Sequence, residues 1–388
     1  GLHDFPLSAG RCNDTAGIVF FLSGLRAQCV NRAWRCALKR QAEPNAFTAA
    51  DGLSEVLLSP SCHRQTRKLW EDVFSEDSRR FVTAYYNGKG SANEISCLLY
   101  EGKPVSMIHW NPRRLCVNGH VADTFFIVGV ATAERFRRQG MMARLLVNGL
   151  RRLYAQHVPL VFLTPANIRY YEPFGFAVTA DRKICRIRDV KEAFGSDGAF
   201  DVRPVNRPEY DALAKFVNEC YRVSASVYVF RDAGYYENLE SELASEDGEI
   251  LGVYRNGETD ALCGSVLYTK DGGVSLRDLT GTIPFEHPAL AARFDECSEV
   301  MLQETVMMRI VSLRDFAALL KSETSLTMYI RLSDPHIIQN NGSFVLEIGP
   351  AGGSVRECTP GECGRCRPYT PGQLVQAFMQ GVVLTEVV

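Results

Sequence analysis

The stretch VGVATAERFRRQGMM, residues 128–142, decides most of what the sequence predicts about the fold. It begins inside residues 124–132 (TFFIVGVAT), an almost unbroken apolar run that is typical of a strand covered on both faces. After Gly140, apolar side chains recur at the i, i+3, i+4, i+7 spacing of a helix with one buried face. The residues on that face are Met142, Leu145, Leu146, Gly149, Leu150 and Leu153. We therefore predict a buried strand, a turn and a helix that begins at Gly140.

The flanking sequence extends this unit in both directions. Residues 160–164 (LVFLT) predict a second buried strand, and the right-handed crossover rule makes it a parallel neighbour of the first. Upstream, residues 95–100 and 105–110 are short strand-like runs joined by a turn-rich linker, which predicts a hairpin. Residues 55–60 favour a further strand, and residues 64–74 favour a helix. The order is that of an α/β unit.

The turn itself predicts an anion site. The first N–H groups of a helix have no acceptor within the helix, and they carry the positive end of its dipole. Gly140 permits close approach of the backbone, and Arg137 and Arg138 add positive charge. An ordinary basic helix start after a loop would show the same residues, but the position between a buried strand and an amphipathic helix favours a phosphate site. The predicted cradle consists of the backbone amides of Arg138, Gln139, Gly140, Met141 and Met142.

Composition sets the broad class. The chain has 388 residues, which suggests two or three domains at the rough prior of ~150 residues each, and we expect three. Its 46% apolar and 23% charged residues are typical of a globular protein, and a net charge of −2 argues against nucleic-acid binding. No run has the ~18 apolar residues of a membrane helix. Residues 17–25 lack the flanks of a secretory signal, and the isolated cysteines favour a reduced, cytoplasmic protein.

The remaining sequence divides into blocks. Residues 1–53 show no sustained period and no defensible chemistry. A second strand and helix opening begins at Phe200, but the block 200–298 never repeats an R-x-x-G-like turn, so we expect no cofactor there. A third block of α+β character, residues 299–388, contains strand-like residues 326–332 and 343–348 around an Asn340-Asn341-Gly342 turn. The first block of the regular part is 54–199.

The phosphate turn resembles the motif of the GNAT superfamily of N-acetyltransferases, R/Q-x-x-G-x-G/A. Here it stands as Arg137-x-x-Gly140-x-Met142, and the last position departs from the pattern. The resemblance implies that the bound phosphates are the pyrophosphate of acetyl-CoA, used as a co-substrate. The predicted cofactor site also takes in Val130, Ala131, Thr132, Ala143 and Asn167.

From about residue 54 onward the chain resembles Eis-like acetyltransferases, a family named for enhanced intracellular survival. The supporting segments are residues 164–167 (TPAN), 171–176 (YEPFGF), 306–311 (VMMRIV), 333–335 (SDP) and the last residues, TEVV. The resemblance implies two tandem GNAT-type domains, 54–199 and 200–298, followed by a sterol-carrier-like α+β domain, 299–388. It also implies a homo-oligomer, in this family often a hexamer, and no metal.

The same resemblance assigns the chemistry. It places Tyr171 as the proton donor to the departing thiolate and the α-carboxylate of Val388 as the base, acting through water. Each residue has a structural alternative. Tyr171 could instead be a packing residue, with Tyr170 as its competitor, and Val388 could be a frayed terminus.

The sequence leaves three questions open. The acceptor amine could be an aminoglycoside, a polyamine or a lysine side chain. The protein could also be a carrier of an apolar ligand that binds coenzyme A only as a regulator. Cys358, Cys363 and Cys366 resemble half of a zinc site, but no fourth ligand is apparent nearby, so we expect a surface loop and no metal.

Overall fold

A computed structural model describes residues 52–187, 200–255, 262–270, 274–281, 299–379 and 382–383. Most strands join one 13-stranded sheet, and a separate 4-stranded sheet lies near the C-terminus. The strands of the first half are β1 (Leu53–Leu58), β2 (Glu94–Tyr100), β3 (Lys103–Val117), β4 (His120–Thr132), β5 (Leu160–Leu163), β6 (Ala177–Ile187), β7 (Phe200–Pro204) and β8 (Val227–Val229).

The remaining elements follow in chain order. The strands are β9 (Glu249–Arg255), β10 (Leu262–Thr269), β11 (Val274–Gly281), β12 (Glu299–Ile310), β13 (Leu326–Leu332), β14 (Gly342–Gly349), β15 (Gly352–Glu357), β16 (Arg367–Tyr369) and β17 (Val382–Val383). The helices are α1 (Arg67–Val73), α2 (Arg79–Asn87), α3 (Lys89–Ala92), α4 (Met141–Ala155), α5 (Tyr210–Ser224), α6 (Ala233–Ser245), α7 (Leu313–Leu319) and α8 (Pro371–Phe378).

The predicted strand, turn and helix are confirmed. β4 and β5 are parallel neighbours, with Phe125 opposite Val161 and Ile127 opposite Leu163, and α4 crosses between them. The expected hairpin is also present as β2 and β3, although β3 runs on to Val117. One face of the sheet is covered by α4, and the other is covered by α1 and α2 through Trp70 and Tyr85. Both faces are therefore buried, which explains the lack of polar alternation in β4.

The strand that opens the predicted third domain lies within the large sheet. β12 runs antiparallel to β5 on one side and to β6 on the other. The order continues through β11, β10, β9 and β7, so the second block shares the same sheet. β8 adds a further link, because it pairs with the end of β3. The sequence blocks are thus joined by continuous backbone hydrogen bonding.

The Asn340-Asn341-Gly342 segment is not the tight hairpin turn that the sequence predicts. β13 and β14 do pair, with Leu332 opposite Gly342, but residues 333–341 form a longer connection. Asn340 is buried, and its side-chain amide donates to the carbonyl of Val311 at 2.9 Å while its oxygen accepts from the backbone N–H of Leu313 at 3.2 Å. The asparagine therefore anchors the connection to the preceding strand and helix.

None of the helices in the described parts of the chain is long and apolar enough to span a bilayer. Within the same residues, no group of three or more His, Cys, Asp or Glu side chains is arranged to hold a metal ion.

Candidate functional site

β4 extends past the carboxyl end of its parallel neighbour β5, and the space beside this extension is called the crevice here. Their pairing ends at Ile127 and Leu163, whereas β4 continues to Thr132 with β3 on its other side. Residues 128–132 therefore extend past the last described pair with β5. In open α/β sheets, ligands bind in crevices of this kind beyond the carboxyl ends of the strands.

A β-bulge lies at the mouth of the crevice. Met107 pairs with Ala131 and His109 pairs with Val128, so Gly129 and Val130 together face the single residue Ile108. A bulge leaves a peptide group outside the ladder and redirects the strand. Gly129 has a φ of +55°, a conformation that glycine adopts readily. The sequence carried a signal for this feature, because an isolated glycine within a strand pattern favours a bulge.

The turn after β4 has the geometry of an open helix N-terminus. Arg138 and Gly140 both have positive φ, +60° and +77°, and α4 begins at Met141. Among the described residues no side chain caps the helix at Gly140, and a Cβ built there would meet nothing within 4 Å. The first N–H groups of this 15-residue helix therefore have no side-chain cap from those residues, and uncapped N–H groups at a helix start suit a phosphate.

Two side chains of the turn donate hydrogen bonds to backbone carbonyls of the same segment. The Nε of Arg137 donates to the carbonyl of Thr132 at 3.1 Å, and the side-chain amide of Gln139 donates to the carbonyl of Arg135 at 2.9 Å. Met142 is half-buried and packs against the apolar cluster beneath α4. The side chain of Met142, the residue that departs from the family motif, therefore packs in the core. Its backbone N–H remains in the first turn of α4.

The other predicted cofactor residues have local roles in the structure. The carbonyl of buried Ala131 accepts from Ser106 Oγ at 3.2 Å, and Thr132 Oγ1 lies 2.9 Å from the same Ser106 Oγ. Val130 is half-buried beside the cluster under α4, and Ala143 is half-buried within α4. Asn167 lies apart from the turn, between β5 and β6, where its side chain caps a short helical turn by accepting from the N–H of Arg169 at 3.0 Å.

Tyr171 lies inside the molecule and Tyr170 outside it. Tyr171 is 7% exposed, whereas Tyr170 is 59% exposed. The ring of Tyr171 packs edge-on against Phe176 at 5.9 Å, in the same cluster as Met141 at the start of α4. Burial raises the pKa of the Tyr171 hydroxyl to about 12, and no hydrogen bond to it is made by any residue that the structure describes. The group is a neutral hydroxyl at physiological pH, so it can donate a proton or a hydrogen bond.

A polar network that the sequence did not reveal lies on the opposite face, beneath the bulge. The hydroxyl of Tyr85 lies 3.0 Å from Nδ1 of His109, donates to Asn111 at 3.2 Å and accepts from Asn93 at 2.6 Å. His109 is fully buried, and this burial lowers its pKa to about 3. The imidazole is therefore neutral, and its Cδ2 would lie 3.2 Å from a Cβ on Gly129.

Two further predictions have simple outcomes. Val388 lies outside the described residues. Cys358 and Cys366 lie close together, with their sulfur atoms 3.4 Å apart, while the sulfur of Cys363 donates to the carbonyl of Thr359 at 3.3 Å.

Comparison with known proteins agrees with this geometry. Residues 57–179 match the family model of an acetyltransferase (GNAT) domain, which spans the crevice, the bulge, the turn and Tyr171. Residues 57–179 are therefore similar in sequence to a GNAT acetyltransferase domain. No curated protein sequence matches it significantly.

Solved structures share the fold over most of the chain. A GCN5-related N-acetyltransferase from Anabaena variabilis has a TM-score of 0.70 at 15% identity, covering 84% of this chain and 90% of that one. A probable N-acyltransferase from Enterococcus faecalis gives 0.69 at 15% identity, with the same shares. Eis1 from Mycobacterium abscessus gives 0.61 at 12% identity, covering 84% of this chain and 89% of its own. The mixed α/β architecture is thus a GNAT-like fold.

Proposed function

We propose that this protein transfers an acetyl group from acetyl-CoA to a primary amine by direct attack within a ternary complex. The observation that carries the proposal is the open N-terminus of α4 at Gly140, placed directly after the bulged end of β4 within a GNAT acetyltransferase domain. The uncapped N–H groups at this position suit a diphosphate, because they offer several donors and a favourable dipole to one anion.

The residues proposed to bind acetyl-CoA have different roles. The backbone amides of residues 138–142 hold the pyrophosphate, with positive charge supplied by Arg137 and Arg138. Val130, Ala131 and Thr132 line the crevice between β4 and β5, where the bulge leaves a peptide group outside the ladder. Ala143 continues the first turn of α4. Asn167, between β5 and β6, caps the short helical turn that leads into Tyr171.

When bound, acetyl-CoA supplies a thioester whose acyl carbon accepts the amine and whose sulfur leaves as a thiolate. Tyr171 donates a hydrogen bond to that sulfur. Complete proton transfer from Tyr171 is unfavourable, because its pKa of about 12 lies above the ~8.5 of a thiol. The hydroxyl therefore acts by stabilising negative charge on sulfur, and the proton lost by the amine neutralises the thiolate.

The second block does not share the cofactor chemistry in this proposal. Its first long helix, α5, is preceded by Asn206 and Glu209, and the Glu209 carboxylate accepts from the N–H of Asn206 at 2.9 Å. Asp211 adds a second acidic side chain in the first turn. Acidic groups at a helix N-terminus occupy the position that a phosphate would take and repel it.

The architecture of the proposal follows the family resemblance. In this proposal residues 200–298 correspond to a second GNAT-like domain, and residues 299–388 correspond to a sterol-carrier-like domain whose first strand, β12, lies in the large sheet. The protein assembles as a cytoplasmic homo-oligomer. Aminoglycosides, polyamines and lysine side chains are the candidate acceptors.

A thiol-release assay with a polyamine, an aminoglycoside and a lysine peptide tests the proposal. Release of free thiol from acetyl-CoA that depends on at least one amine is the expected result. If no amine stimulates release and a lipid purifies with the protein, the proposal fails and a carrier function replaces it.

A further inference from the structure

The connection between β13 and β14 contacts the backbone next to Tyr171. The term Tyr171 turn denotes residues 168–176 here, and the term Asp334 connection denotes residues 333–341. Nε2 of His336 donates to the carbonyl of Pro173 at 2.9 Å, and the imidazole ring packs on Phe174 with centroids 5.3 Å apart. Because a carbonyl oxygen only accepts, this contact fixes the proton of His336 on Nε2.

Arg309, at the carboxyl end of β12, makes a second contact with the same turn. Its side chain is fully buried, and Nη1 donates to the carbonyl of Phe174. Nη2 donates to Asp334 Oδ2 at 2.5 Å, and Nε donates to the carbonyl of Ile310 at 3.2 Å. Each nitrogen of the guanidinium therefore has an acceptor, so the group has one well-defined position.

Asp334 binds to both residues that contact the Tyr171 turn, His336 and Arg309. Its Oδ1 accepts from the N–H groups of His336 and Ile337 at 3.0 and 3.1 Å, and its Oδ2 accepts from Arg309 and from Asn340 Nδ2 at 3.0 Å. Burial raises the carboxyl pKa, but the Arg309 charge and these hydrogen bonds outweigh burial and leave it below its usual value. Asp334 is thus a carboxylate that fixes the backbone of His336 and the side chain of Arg309 together.

The contacted carbonyls are close in sequence to Tyr171. Pro173 and Phe174 lie two and three residues after it in the Tyr171 turn, and the N–H of Phe174 donates back to the Tyr171 carbonyl at 3.0 Å. Gly175 has a φ of +80°, and a Cβ there would lie 3.4 Å from Nη1 of Arg309. The turn is therefore held from outside at two successive carbonyls, and any displacement of them is transmitted to Tyr171.

We propose that Arg309, Asp334 and His336 are positioning residues for acetyl transfer, because they hold the Tyr171 turn so that the Tyr171 hydroxyl meets the departing sulfur. The inference rests on the proposed role of Tyr171. It makes residues far along the chain part of the machinery of the GNAT domain. If the Tyr171 hydroxyl is displaced by about 1 Å, it loses much of its effect on the rate of acetyl transfer. Binding of acetyl-CoA at α4 is unchanged.

His336→Ala tests the inference, because His336 is only half-buried and its loss leaves the buried Arg309–Asp334 pair intact. We expect kcat to fall about 10-fold, the KM for acetyl-CoA to stay constant, and hydrogen exchange at the amides of Phe174 and Phe176 to rise. His336→Gln keeps a donor and is expected to restore part of kcat. His157→Ala is the matched control, since His157, two residues past the end of α4, contacts Asp315 in the later part of the chain at 3.3 Å but makes no contact with the Tyr171 turn in the described residues.

The outcomes separate this inference from the proposed function. If the unaltered protein acetylates no amine, the function fails, and the positioning role fails with it. If the unaltered protein is active while His336→Ala matches His157→Ala in kcat and in amide exchange, only the positioning role is overturned. A fall in kcat for His336→Ala without any change in amide exchange at the turn also contradicts it.

Discussion

The indole of Trp70 lies directly against the backbone of Gly129, where a Cβ would come within 2.5 Å of Trp70 Cζ3. Gly129 also has positive φ, so the bulge of β4 requires glycine for two reasons: space and backbone conformation. The bulge directs the end of β4 into the crevice, and the close packing of Trp70 fixes its shape. The core on one face thus determines the geometry of the site at the strand end.

Gly129→Ala is expected to lower the free energy of unfolding by about 3 kcal/mol, because overpacking and left-handed strain add. Urea denaturation measures the change. Gly119→Ala is the matched control, since Gly119 has a φ of +86° and open space around its Cβ position, so only strain of about 1 kcal/mol is expected. Equal losses in the two variants would show that the contact with Trp70 has no energetic weight.

Gly140→Ala is expected to weaken acetyl-CoA binding about 10-fold with a loss of stability of only about 1 kcal/mol. The new methyl group would project into the open space at the N-terminus of α4, where the pyrophosphate is proposed to lie. Calorimetric titration measures the affinity. Gly119→Ala again serves as control, because it carries similar strain at the turn between β3 and β4. Unchanged affinity for acetyl-CoA in Gly140→Ala would contradict the proposal that the pyrophosphate binds at this turn.

Tyr171→Phe is expected to lower kcat about 100-fold while the affinity for acetyl-CoA stays constant, because only the hydrogen bond to the departing sulfur is lost. Steady-state kinetics and titration give the two quantities. Tyr170→Phe is the control, since Tyr170 is 59% exposed and should retain full activity. Loss of activity in Tyr170→Phe together with normal turnover in Tyr171→Phe would reverse the assignment.

His109 predicts a dependence of stability on pH. Its pKa is about 3 in the folded protein and about 6.5 when unfolded, so below pH 6.5 the unfolded state binds a proton that the folded state does not. The stability that the neutral His109 contributes to the folded state is fully present above pH 6.5 and is lost as the pH falls towards 3. From pH 7 to pH 5 we expect the free energy of unfolding to fall by about 2 kcal/mol in the unaltered protein. This fall should be absent in His109→Gln. Parallel unfolding curves for both proteins at the two pH values would contradict this.

Local patterns predicted the elements around the site well. Apolar runs and helical spacing are enough to specify β4, α4 and β5, because both faces of that sheet are buried and periodicity reports burial directly. The phosphate turn followed from Gly140 and its position between the two elements. Tyr171 could be named only from resemblance, since an aromatic residue near Phe174 and Phe176 gives the same pattern whether it packs or reacts.

Contacts between residues that are distant in the sequence could not be predicted from local patterns. The sequence predicted that β12 belongs to a separate C-terminal block, and no local pattern in it reveals that it lies between β5 and β6. Arg309 was an isolated charge in an apolar run, and its partner Asp334 follows 25 positions later. Asn340 was expected in a tight turn, since asparagine favours turns. Here its amide is instead used to anchor a longer connection.

The most direct test of the account is the mass of the acceptor after incubation with acetyl-CoA labelled in the acetyl group. We expect a polyamine, an aminoglycoside or a lysine peptide to gain one labelled acetyl group with the unaltered protein and far less label with Tyr171→Phe. Label that stays on acetyl-CoA with every amine, in protein shown to bind the cofactor, would contradict the claim that the GNAT domain transfers it.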